Sequence, residues 1–383
     1  MTRTVFLAGG GTAGHVFPAL AVARELQRRD PSIRPVFVGT AERLEGRLVP
    51  EAGYELHHID VLPVPRRPSP KLLRVPSALR AAVRRCVTLL ETEKAQAVVT
   101  FGGYVSVPLA LAAHRVGLPL IIHEQNAVPG LANRWVARHA DAIAVTFPGS
   151  ADRFGRPERA VVTGNPVRQE ILEVDPDGDR ERAARAFRLR WVPRTILVFG
   201  GSQGARSLNK AVVETFSLWN RPNDVQLLHV AGANLYKETA ALWEGARAAG
   251  EGPRVRCVDF IDDMDAAYTI ADLVIARAGA TTIAELTALG IPAVLVPYPH
   301  ATADHQMANA RALERAGAAV VVPDDELSGP RLVEAIRPWL EDDHLRAEAA
   351  MASRAFGRRD AASNLAQLVL DRLPAAGVTP RAG

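Results

Sequence analysis

Cysteine is scarce in this sequence, and its two occurrences lie far apart. Cys86 and Cys257 are the only thiols among 383 residues, so nothing indicates a disulfide framework, a zinc site or a C-x-x-C redox motif. We therefore expect two small buried side chains in a reducing compartment. Disorder is excluded over most of the chain, because 48% hydrophobic and 23% charged residues are an ordinary globular composition.

Long apolar runs are also missing. A segment such as Val105–Ala113 stops well short of the roughly 18–20 residues that a bilayer-spanning helix requires. The first apolar segment, Val5–Ala8, reaches glycine too early to be the core of a signal peptide, so we interpret it as a strand and expect a cytosolic protein.

Positive charge is concentrated in one segment, residues 61–90. This segment holds seven basic residues and no acidic one, whereas the whole chain has a net charge of +4, so the remainder is net acidic. A surplus confined to one segment points to one anionic partner surface. Nucleic acid is disfavoured as that partner, because the segment has no aromatic residue on which bases would stack.

Short β-branched runs alternate with helical patterns along the chain. Near-continuous Val/Ile/Leu runs are typical of strands buried on both faces, and their alternation with helices implies parallel, doubly wound α/β sheets. Two such series predict two Rossmann-like domains, at 1–165 and 166–349, with a C-terminal helix at about 350–373 packing back on the first domain and a disordered tail at 374–383. The predicted strands are Thr4–Ala8, Pro35–Gly39, Ala97–Phe101, Leu120–His123, Ala142–Phe147, Ala160–Thr163, Thr195–Phe199, Val225–Val230, Val255–Phe260, Leu273–Ala276, Ala293–Val296 and Ala318–Val322.

A glycine-rich junction between strand and helix occurs twice, half a chain apart. Gly10-Gly11-Thr12-Ala13-Gly14 and Gly200-Gly201-Ser202-Gln203-Gly204 both read G-G-[ST]-x-G. Such a loop aims backbone N–H groups and the positive end of a helix dipole at a phosphate. Two matched loops predict a phosphate-bearing ligand, although either one alone also fits a tight turn without a ligand. The first loop also satisfies G-x-G-x-x-G, but the acid that an NAD site needs after the next strand is missing.

Three further patterns place candidate catalytic or binding residues where a predicted strand meets a helix. His15 follows the first loop at a helix start, which disfavours the imidazolium, so it is a candidate general base. His123-Glu124-Gln125-Asn126 ends a strand at the edge where doubly wound sheets bind ligands, although Asn126 also fits a helix cap. Glu285 lies one turn into a helix, placed to accept from a vicinal diol such as a ribose. Asp263-Met264-Asp265 matches a metal-binding D-x-D pattern, but we interpret it as the acidic start of a helix and predict no metal site.

Eight motifs occur together in the order of a known family, and the sequence resembles the MurG family. Its members are UDP-N-acetylglucosamine transferases that convert lipid I to lipid II in bacterial peptidoglycan synthesis. The motifs are Gly10–His15, Gly102–Ser106, His123–Asn126, Gly164–Arg168, Gly200–Gly204, Phe260–Met264, Gly279–Glu285 and His305-Gln306 with Asn309.

The resemblance implies a GT-B fold, with the two domains facing a cleft, and an inverting transfer that needs no metal ion or other cofactor. On the donor side, it implies that Ile261 holds the uracil through its backbone, Glu285 the ribose and Gln306 the N-acetylglucosamine. The other donor residues that it implies are Thr12, Ala13, Gly14, Asn126, Arg168, Ser202, Ala280, Thr281, Thr282, Ile283 and Ala284. Tyr104, His123 and Glu124 resemble acceptor-side residues, and for His15 a role in acceptor binding is as compatible as that of the base.

If the acceptor is a membrane lipid, the basic segment at residues 61–90 can contact the membrane that holds it. We predict an amphipathic surface that rests on the cytoplasmic face of an anionic membrane, against the alternative of an ordinary helix with a solvated basic face. The predicted contacts are Lys71, Leu72, Leu73, Arg74, Leu79, Arg80, Val83, Arg84 and Arg85. The competing functions are a UDP-N-acetylglucosamine 2-epimerase, an NAD-dependent oxidoreductase and a non-enzymatic sugar-nucleotide sensor.

Overall fold

The chain divides into two compact units in a computed structural model. The N-terminal unit comprises Met1–Arg168 and Arg359–Gly383, and the C-terminal unit comprises Gln169–Arg358. Within them the structure describes residues 2–62, 73–175, 178, 180–190, 192, 194–201, 203–219, 225–248 and 253–374. The division falls three residues beyond the expected boundary at 165, and all but the first residue of the tail expected at 374–383 lies outside the described residues.

The N-terminal unit is built on a seven-stranded sheet whose strand pairs are all parallel. Its strand order is β3-β2-β1-β4-β5-β6-β7, so the direction of winding reverses between β1 and β4. The strands are β1 Arg3–Ala8, β2 Ile33–Gly39, β3 Glu55–His58, β4 Ala95–Thr100, β5 Leu120–Glu124, β6 Ala142–Val145 and β7 Ala160–Val162. The helices are α1 Ala13–Arg29, α2 Leu44–Glu51, α3 Val75–Thr92, α4 Ser106–Arg115, α5 Leu131–Val136 and, from the C-terminal end of the chain, α15 Ala361–Leu370.

The C-terminal unit repeats this plan with a six-stranded parallel sheet of order β10-β9-β8-β11-β12-β13. The strands are β8 Thr195–Phe199, β9 Gln226–Val230, β10 Arg254–Val258, β11 Leu273–Ala276, β12 Ala293–Leu295 and β13 Ala319–Val321. The helices are α6 Gln169–Leu172, α7 Arg180–Ala186, α8 Arg206–Ser217, α9 Tyr236–Ala248, α10 Met264–Ile270, α11 Ala280–Leu289, α12 His305–Arg315, α13 Gly329–Glu341 and α14 Asp343–Phe356.

Each predicted strand is observed, and its first residue lies within two residues of the predicted one. One observed strand was not predicted. β1, β5 and β8 are buried along almost their whole length, as continuous apolar runs require when helices cover both faces of a sheet. The unpredicted strand, β3, lies at the sheet edge and reads Glu-Leu-His-His, with two exposed and two half-buried residues. A short polar edge strand carries no apolar signal, so the sequence pattern missed it.

The expected single helix over 350–373 is two helices that belong to different units. α14 packs on α11 and α13, whereas α15 packs on α1. The break falls at Gly357, where a Cβ would overlap the carbonyl group of Thr287, so only glycine lets the chain pass this close. Ser363 and Gln367 accept hydrogen bonds from the Arg29 side chain, which fixes α15 against the N-terminal unit.

Burial makes both cysteine thiols unreactive. Cys86 is fully buried and Cys257 is half-buried, so the expectation of two buried side chains is met in full only by the first. Burial raises the pKa of Cys86 to about 12 and that of Cys257 to about 11, which keeps both protonated at neutral pH. None of the helices in the described part of the chain combines the length and the apolar composition that crossing a bilayer requires.

Candidate active site

The candidate site residues gather at the carboxyl edge of each sheet. In the N-terminal unit they lie at or after the ends of β1, β4, β5 and β7, and in the C-terminal unit they follow β8, β10, β11 and β12. Each group therefore includes the loop at the point where the strand order reverses, which is where open α/β sheets bind ligands.

The first glycine loop is held by contacts between backbone groups. Gly103 has a φ of +85°, and a Cβ there would lie 2.5 Å from the Gly10 carbonyl oxygen. Gly11 also has a φ of +85°, and beyond it Thr12 precedes the first residue of α1 with its side chain exposed. Ala13 and Gly14 are the first two residues of the helix, and both are half-buried.

The ring of His15 is oriented by this loop. Its Nδ1 lies 3.0 Å from the Gly10 carbonyl oxygen and 3.2 Å from the Thr12 hydroxyl. A carbonyl group only accepts, so Nδ1 carries the proton and the neutral ring has its lone pair on Nε2. Nε2 points toward Gly102, being 3.1 Å from where a Cβ on that residue would stand.

A buried carboxylate lies beneath the same loop, and the sequence pattern did not single it out. Glu45 is 1% exposed. Its Oε2 accepts from Gly11 N at 2.9 Å, and its Oε1 accepts from the Thr40 hydroxyl at 2.8 Å and from Thr40 N at 3.2 Å. The Gly11 N–H therefore binds Glu45, and it is not aimed outward at a phosphate as the motif predicted.

His123 and Glu124 are buried, so their side chains offer no surface to a ligand. The Glu124 carboxylate accepts from Asn126 N, Gly130 N and Asn133 Nδ2 at 2.9–3.0 Å, which fixes the loop after β5. His123 Nε2 donates to the Gly164 carbonyl at 3.0 Å. These two residues hold the loops after β5 and β7 from beneath, and the acceptor-side role that the resemblance implies stays a prediction.

Three other predicted residues of the N-terminal unit do reach its surface. Tyr104 is 47% exposed, directly after the glycine pair that follows β4. Asn126 is half-buried on the loop that Glu124 fixes, with its Nδ2 3.2 Å from Glu124 Oε1. The Arg168 guanidinium lies 4.6 Å from the centre of the Phe17 ring on α1, an arrangement that orients a cation.

The second glycine loop is not a copy of the first. Gly14 lies inside its helix, whereas Gly204 precedes α8 and is separated from it by Ala205. Gly204 has a φ of +75°, and a Cβ there would overlap the Ala231 carbonyl group, so the loop rests on the chain after β9. Ser202, the residue predicted to bind the diphosphate, lies outside the described residues.

The start of α11 gathers most of the predicted donor residues of the C-terminal unit. Gly279 precedes Ala280, so the first N–H groups of the helix belong to Ala280, Thr281 and Thr282. The Thr281 hydroxyl is buried and has no hydrogen-bond partner among the described residues. One turn on, Glu285 is 5% exposed and its Oε2 accepts from the Tyr268 hydroxyl at 2.9 Å.

The other predicted donor residues surround this helix start. Ile261 is buried in the loop that joins β10 to α10. Ile283 and Ala284 are buried residues of α11. On α12, Gln306 Oε1 accepts from Tyr298 N at 2.9 Å, so the NH₂ group is the end of this amide that can donate to a ligand. Asn309 is instead fully buried and donates to the Ala278 carbonyl, so it supports the loop before α11.

A second residue set that sequence reasoning missed joins the ends of β11, β12 and β13. Arg277 donates to the Val296 and Pro297 carbonyls and to Asp324 Oδ1, the last at 2.6 Å. Its other terminal nitrogen donates to Ser207 Oγ in α8. This arginine therefore fixes three loops of the edge to one another. The only signal in the sequence is a charged residue at the end of an apolar strand.

Asp263 and Asp265, the residues of the D-x-D pattern, lie at the start of α10. Asp263 precedes α10 and accepts from Ala266 N at 3.2 Å, which confirms its interpretation as the acidic start of a helix. Within the described part of the chain, the one group of three His, Cys, Asp or Glu with ligand-type atoms close together is Glu55, His57 and Glu93, and Arg34 forms ion pairs with both of its carboxylates. That group lies at the β3 edge and is an ordinary ion-pair cluster.

Comparisons with known protein families and with curated proteins agree with the motif order. The N-terminal domain of glycosyltransferase family 28 matches residues 5–145, and its C-terminal domain matches residues 195–365. The chain is 44% identical over 365 residues to the UDP-N-acetylglucosamine–N-acetylmuramyl-(pentapeptide) pyrophosphoryl-undecaprenol N-acetylglucosamine transferase of Acidothermus cellulolyticus, covering 95% of this chain and 96% of that one. It is 42% identical over 371 residues to the same-named protein of Streptomyces coelicolor, covering 97% and 98%.

Solved structures give the same result. The chain resembles MurG of Acinetobacter baumannii with a TM-score of 0.77 and 31% identity, covering 96% of this chain and 99% of that one. It also resembles UDP-GlcNAc 2-epimerase of Neisseria meningitidis with a TM-score of 0.70, covering 97% and 100%, but at 12% identity, which shows a common fold only. These matches confirm the expected fold class, a GT-B fold of two Rossmann-like α/β domains.

The buried imidazole of His123 makes the stability of the N-terminal unit dependent on pH. Burial lowers its pKa to about 4, with a smaller contribution from the charge of His15, while its bond to Gly164 opposes the shift. Below pH 6.5 the folded state then binds fewer protons than the unfolded state. The contribution of the neutral imidazole to the free energy of unfolding is therefore fully present above pH 6.5 and is lost as the pH falls toward 4. We expect a loss of about 1.4 kcal/mol per pH unit in this window.

Urea unfolding between pH 7.5 and 4.5 measures this slope. His123→Gln should reduce it by about the amount due to one histidine, whereas His58→Gln, an exposed control in the same unit, should leave it unchanged. Equal slopes for the native protein and His123→Gln would contradict the neutral buried imidazole.

Proposed function

We infer the reaction from the family to which this chain belongs, glycosyltransferase family 28. The protein transfers N-acetylglucosamine from UDP-N-acetylglucosamine to lipid I and forms lipid II, the reaction for which its curated relatives at 38–44% identity are named. The observation that carries this conclusion is identity over about 96% of the chain, which includes both sheet edges described above. Solved epimerases share only the fold, at 12–15% identity.

The N-terminal unit supplies the group that activates the acceptor in this proposal. The attacking sugar hydroxyl is a weak nucleophile, so a neutral base must take its proton as its oxygen bonds to the anomeric carbon. His15 Nε2 is that base, because the bond from Nδ1 to the Gly10 carbonyl leaves its lone pair on Nε2. The bond from the anomeric carbon to the diphosphate oxygen breaks, its electron pair leaves with UDP, and the attack from the opposite face inverts the configuration.

The C-terminal unit stabilises the leaving UDP. The start of α11 presents the N–H groups of three successive residues and a buried Thr281 hydroxyl that lacks a partner within the described chain. These donors face the charge that develops on the diphosphate, in the role that a cation has in D-x-D transferases. Glu285, held by Tyr268, accepts from the ribose hydroxyls, and the NH₂ group of Gln306 donates to the sugar.

Replacing His15 separates catalysis from donor binding. His15→Ala removes the base, so kcat should fall by about 10²–10⁴-fold while the affinity for UDP-N-acetylglucosamine changes little. The assay follows labelled donor into disaccharide on a lipid I analogue, and isothermal titration with UDP-N-acetylglucosamine gives the affinity. His344→Ala, an exposed histidine of the C-terminal unit, is the control. An unchanged kcat in His15→Ala would remove His15 from this role.

We also propose that the N-terminal unit binds the cytoplasmic face of an anionic membrane, peripherally. The support is α3, where Arg80, Arg84 and Arg85 are exposed, and Leu73 just before it, which is 85% exposed. Val83, by contrast, is half-buried and packs against the core, so the proposal does not rest on it. Lys71 and Leu72 lie outside the described residues.

A pair of exposed apolar side chains lies on α5. α4 packs against both α3 and α5. On α5, Leu131 is 70% exposed and Trp135 is 42% exposed, with the Arg138 guanidinium 5.4 Å from the Trp135 ring centre. Apolar side chains beside cations fit the boundary between headgroups and acyl chains.

Charge reversal on α3 tests the membrane proposal. The triple variant Arg80→Glu, Arg84→Glu, Arg85→Glu should lose most of its binding to vesicles that contain anionic lipid, since each exposed cation contributes on the order of 1 kcal/mol. Raising the salt concentration should release the native protein in the same sedimentation assay. Reversal at three exposed cations of the C-terminal unit, Lys237, Arg315 and Arg337, is the control. Native binding that resists both salt and the α3 reversal would contradict the proposal.

A further inference from the structure

One peptide group in the first glycine loop is hydrogen-bonded at both ends. The peptide between Gly10 and Gly11 contributes the Gly10 carbonyl and the Gly11 N–H. The N–H donates to Glu45 Oε2 at 2.9 Å, and the carbonyl accepts from His15 Nδ1 at 3.0 Å. A buried carboxylate is thereby connected to the imidazole through a single polarisable group.

We propose that Glu45 is a positioning residue that acts on His15 through the Gly10–Gly11 peptide. A negative charge at the N–H end of a peptide polarises the amide and makes its carbonyl oxygen a stronger acceptor. The carbonyl then holds the proton of His15 on Nδ1, keeps the lone pair on Nε2, and stabilises the imidazolium that forms when Nε2 accepts a proton. This proposal rests on the role of His15 as the base.

The carboxylate itself is firmly held and suited to carry charge. The groups that contact it are Gly11 N–H, Thr40 N–H and the Thr40 hydroxyl, all of which donate to a carboxylate oxygen. Glu45 is also in the first turn of α2, an eight-residue helix whose positive end stabilises an acid. Its 1% exposure shields this charge from solvent, so that its effect on the peptide is weakly screened.

The geometry of the loop leaves the peptide little freedom to turn. A Cβ on Gly10 would lie 2.6 Å from Glu45 Oε1, and one on Gly103 would lie 2.5 Å from the Gly10 carbonyl oxygen. The backbone is therefore enclosed on the carboxylate side and on the carbonyl side. A rotation of the peptide plane would break both hydrogen bonds together.

Other titratable or charged groups lie on the elements around His15. From β5, His123 interacts with His15 electrostatically and is neutral because burial lowers its pKa to about 4. Glu124 is turned toward Asn126, Gly130 and Asn133. From the end of the first unit, Arg168 lies over Phe17, two residues along α1 from His15. These groups are unchanged by substitution at position 45, so they form a constant background in the experiment.

The test compares Glu45→Gln with Thr40→Val. Glu45→Gln keeps the length of the side chain and an oxygen that can accept from Gly11 but removes the charge, whereas Thr40→Val removes one donor to the carboxylate and keeps its charge. For Glu45→Gln we expect kcat to fall roughly 10-fold with KM for UDP-N-acetylglucosamine within about 2-fold. The acidic limb of the profile of kcat/KM against pH should move about 0.5–1 pH unit lower, since the imidazolium loses its stabilising charge. Thr40→Val should stay close to the native protein in both measurements.

Nitrogen-15 NMR of the histidine rings tests the connection without the reaction. In folded Glu45→Gln, the titration midpoint of His15 should move lower by the same amount, and its fraction of the Nδ1–H tautomer should fall. A midpoint and tautomer identical to those of the native protein would overturn the proposal. A moved midpoint with an unmoved kcat/KM profile supports the connection and instead removes His15 as the base, so the two failures are distinguishable.

The native protein provides a measurement that does not depend on the folding of a variant. The amide proton resonance of Gly11 should shift as His15 titrates, because the same peptide carries both hydrogen bonds. A Gly11 resonance that stays constant across the titration of His15 would also overturn the proposal.

Discussion

Contact between backbone groups at glycine is the constraint on which the candidate site loops of each unit depend. In the N-terminal unit, Gly103 lies against the carbonyl of Gly10, and that carbonyl orients the ring of His15. In the C-terminal unit, Gly204 lies against Ala231, which sets the loop before α8. A side chain at either glycine would push apart two segments that follow neighbouring strands. In each unit the backbone of these loops is therefore held by close packing, and in the N-terminal unit Glu45 and Glu124 support it from beneath.

Much of this architecture can be predicted from the sequence, because a strand that is buried on both faces is a continuous apolar run. Continuous apolar runs located every strand except β3, and the positions of glycine located the loops where the strand order reverses. The ordered motifs gave the family before any geometry. The N-terminal sheet differs from the prediction mainly at its polar edge strand β3, where residues such as Glu55 and His58 resemble those of a loop.

The buried polar residues could not be assigned from the sequence. Glu45 follows Arg43 and Leu44 in a pattern that equally describes a solvated helix, and only the fold shows it beneath Gly11. His123 and Glu124 were placed correctly at a strand end, but a one-dimensional pattern does not tell a side chain that touches a ligand from one that holds the loop. α3 shows the same limit, because the pattern that predicts an amphipathic face does not say which face packs inward.

Stabilisation of a departing diphosphate by helix N–H groups, without a cation, is the central claim about the chemistry. The most direct measurement is the rate at which metal-depleted protein, in excess EDTA, converts labelled UDP-N-acetylglucosamine and a lipid I analogue to disaccharide and UDP. The account predicts a rate equal to that of untreated protein and no increase when magnesium or manganese is added back. Activity that disappears with EDTA and returns with a divalent cation would contradict it.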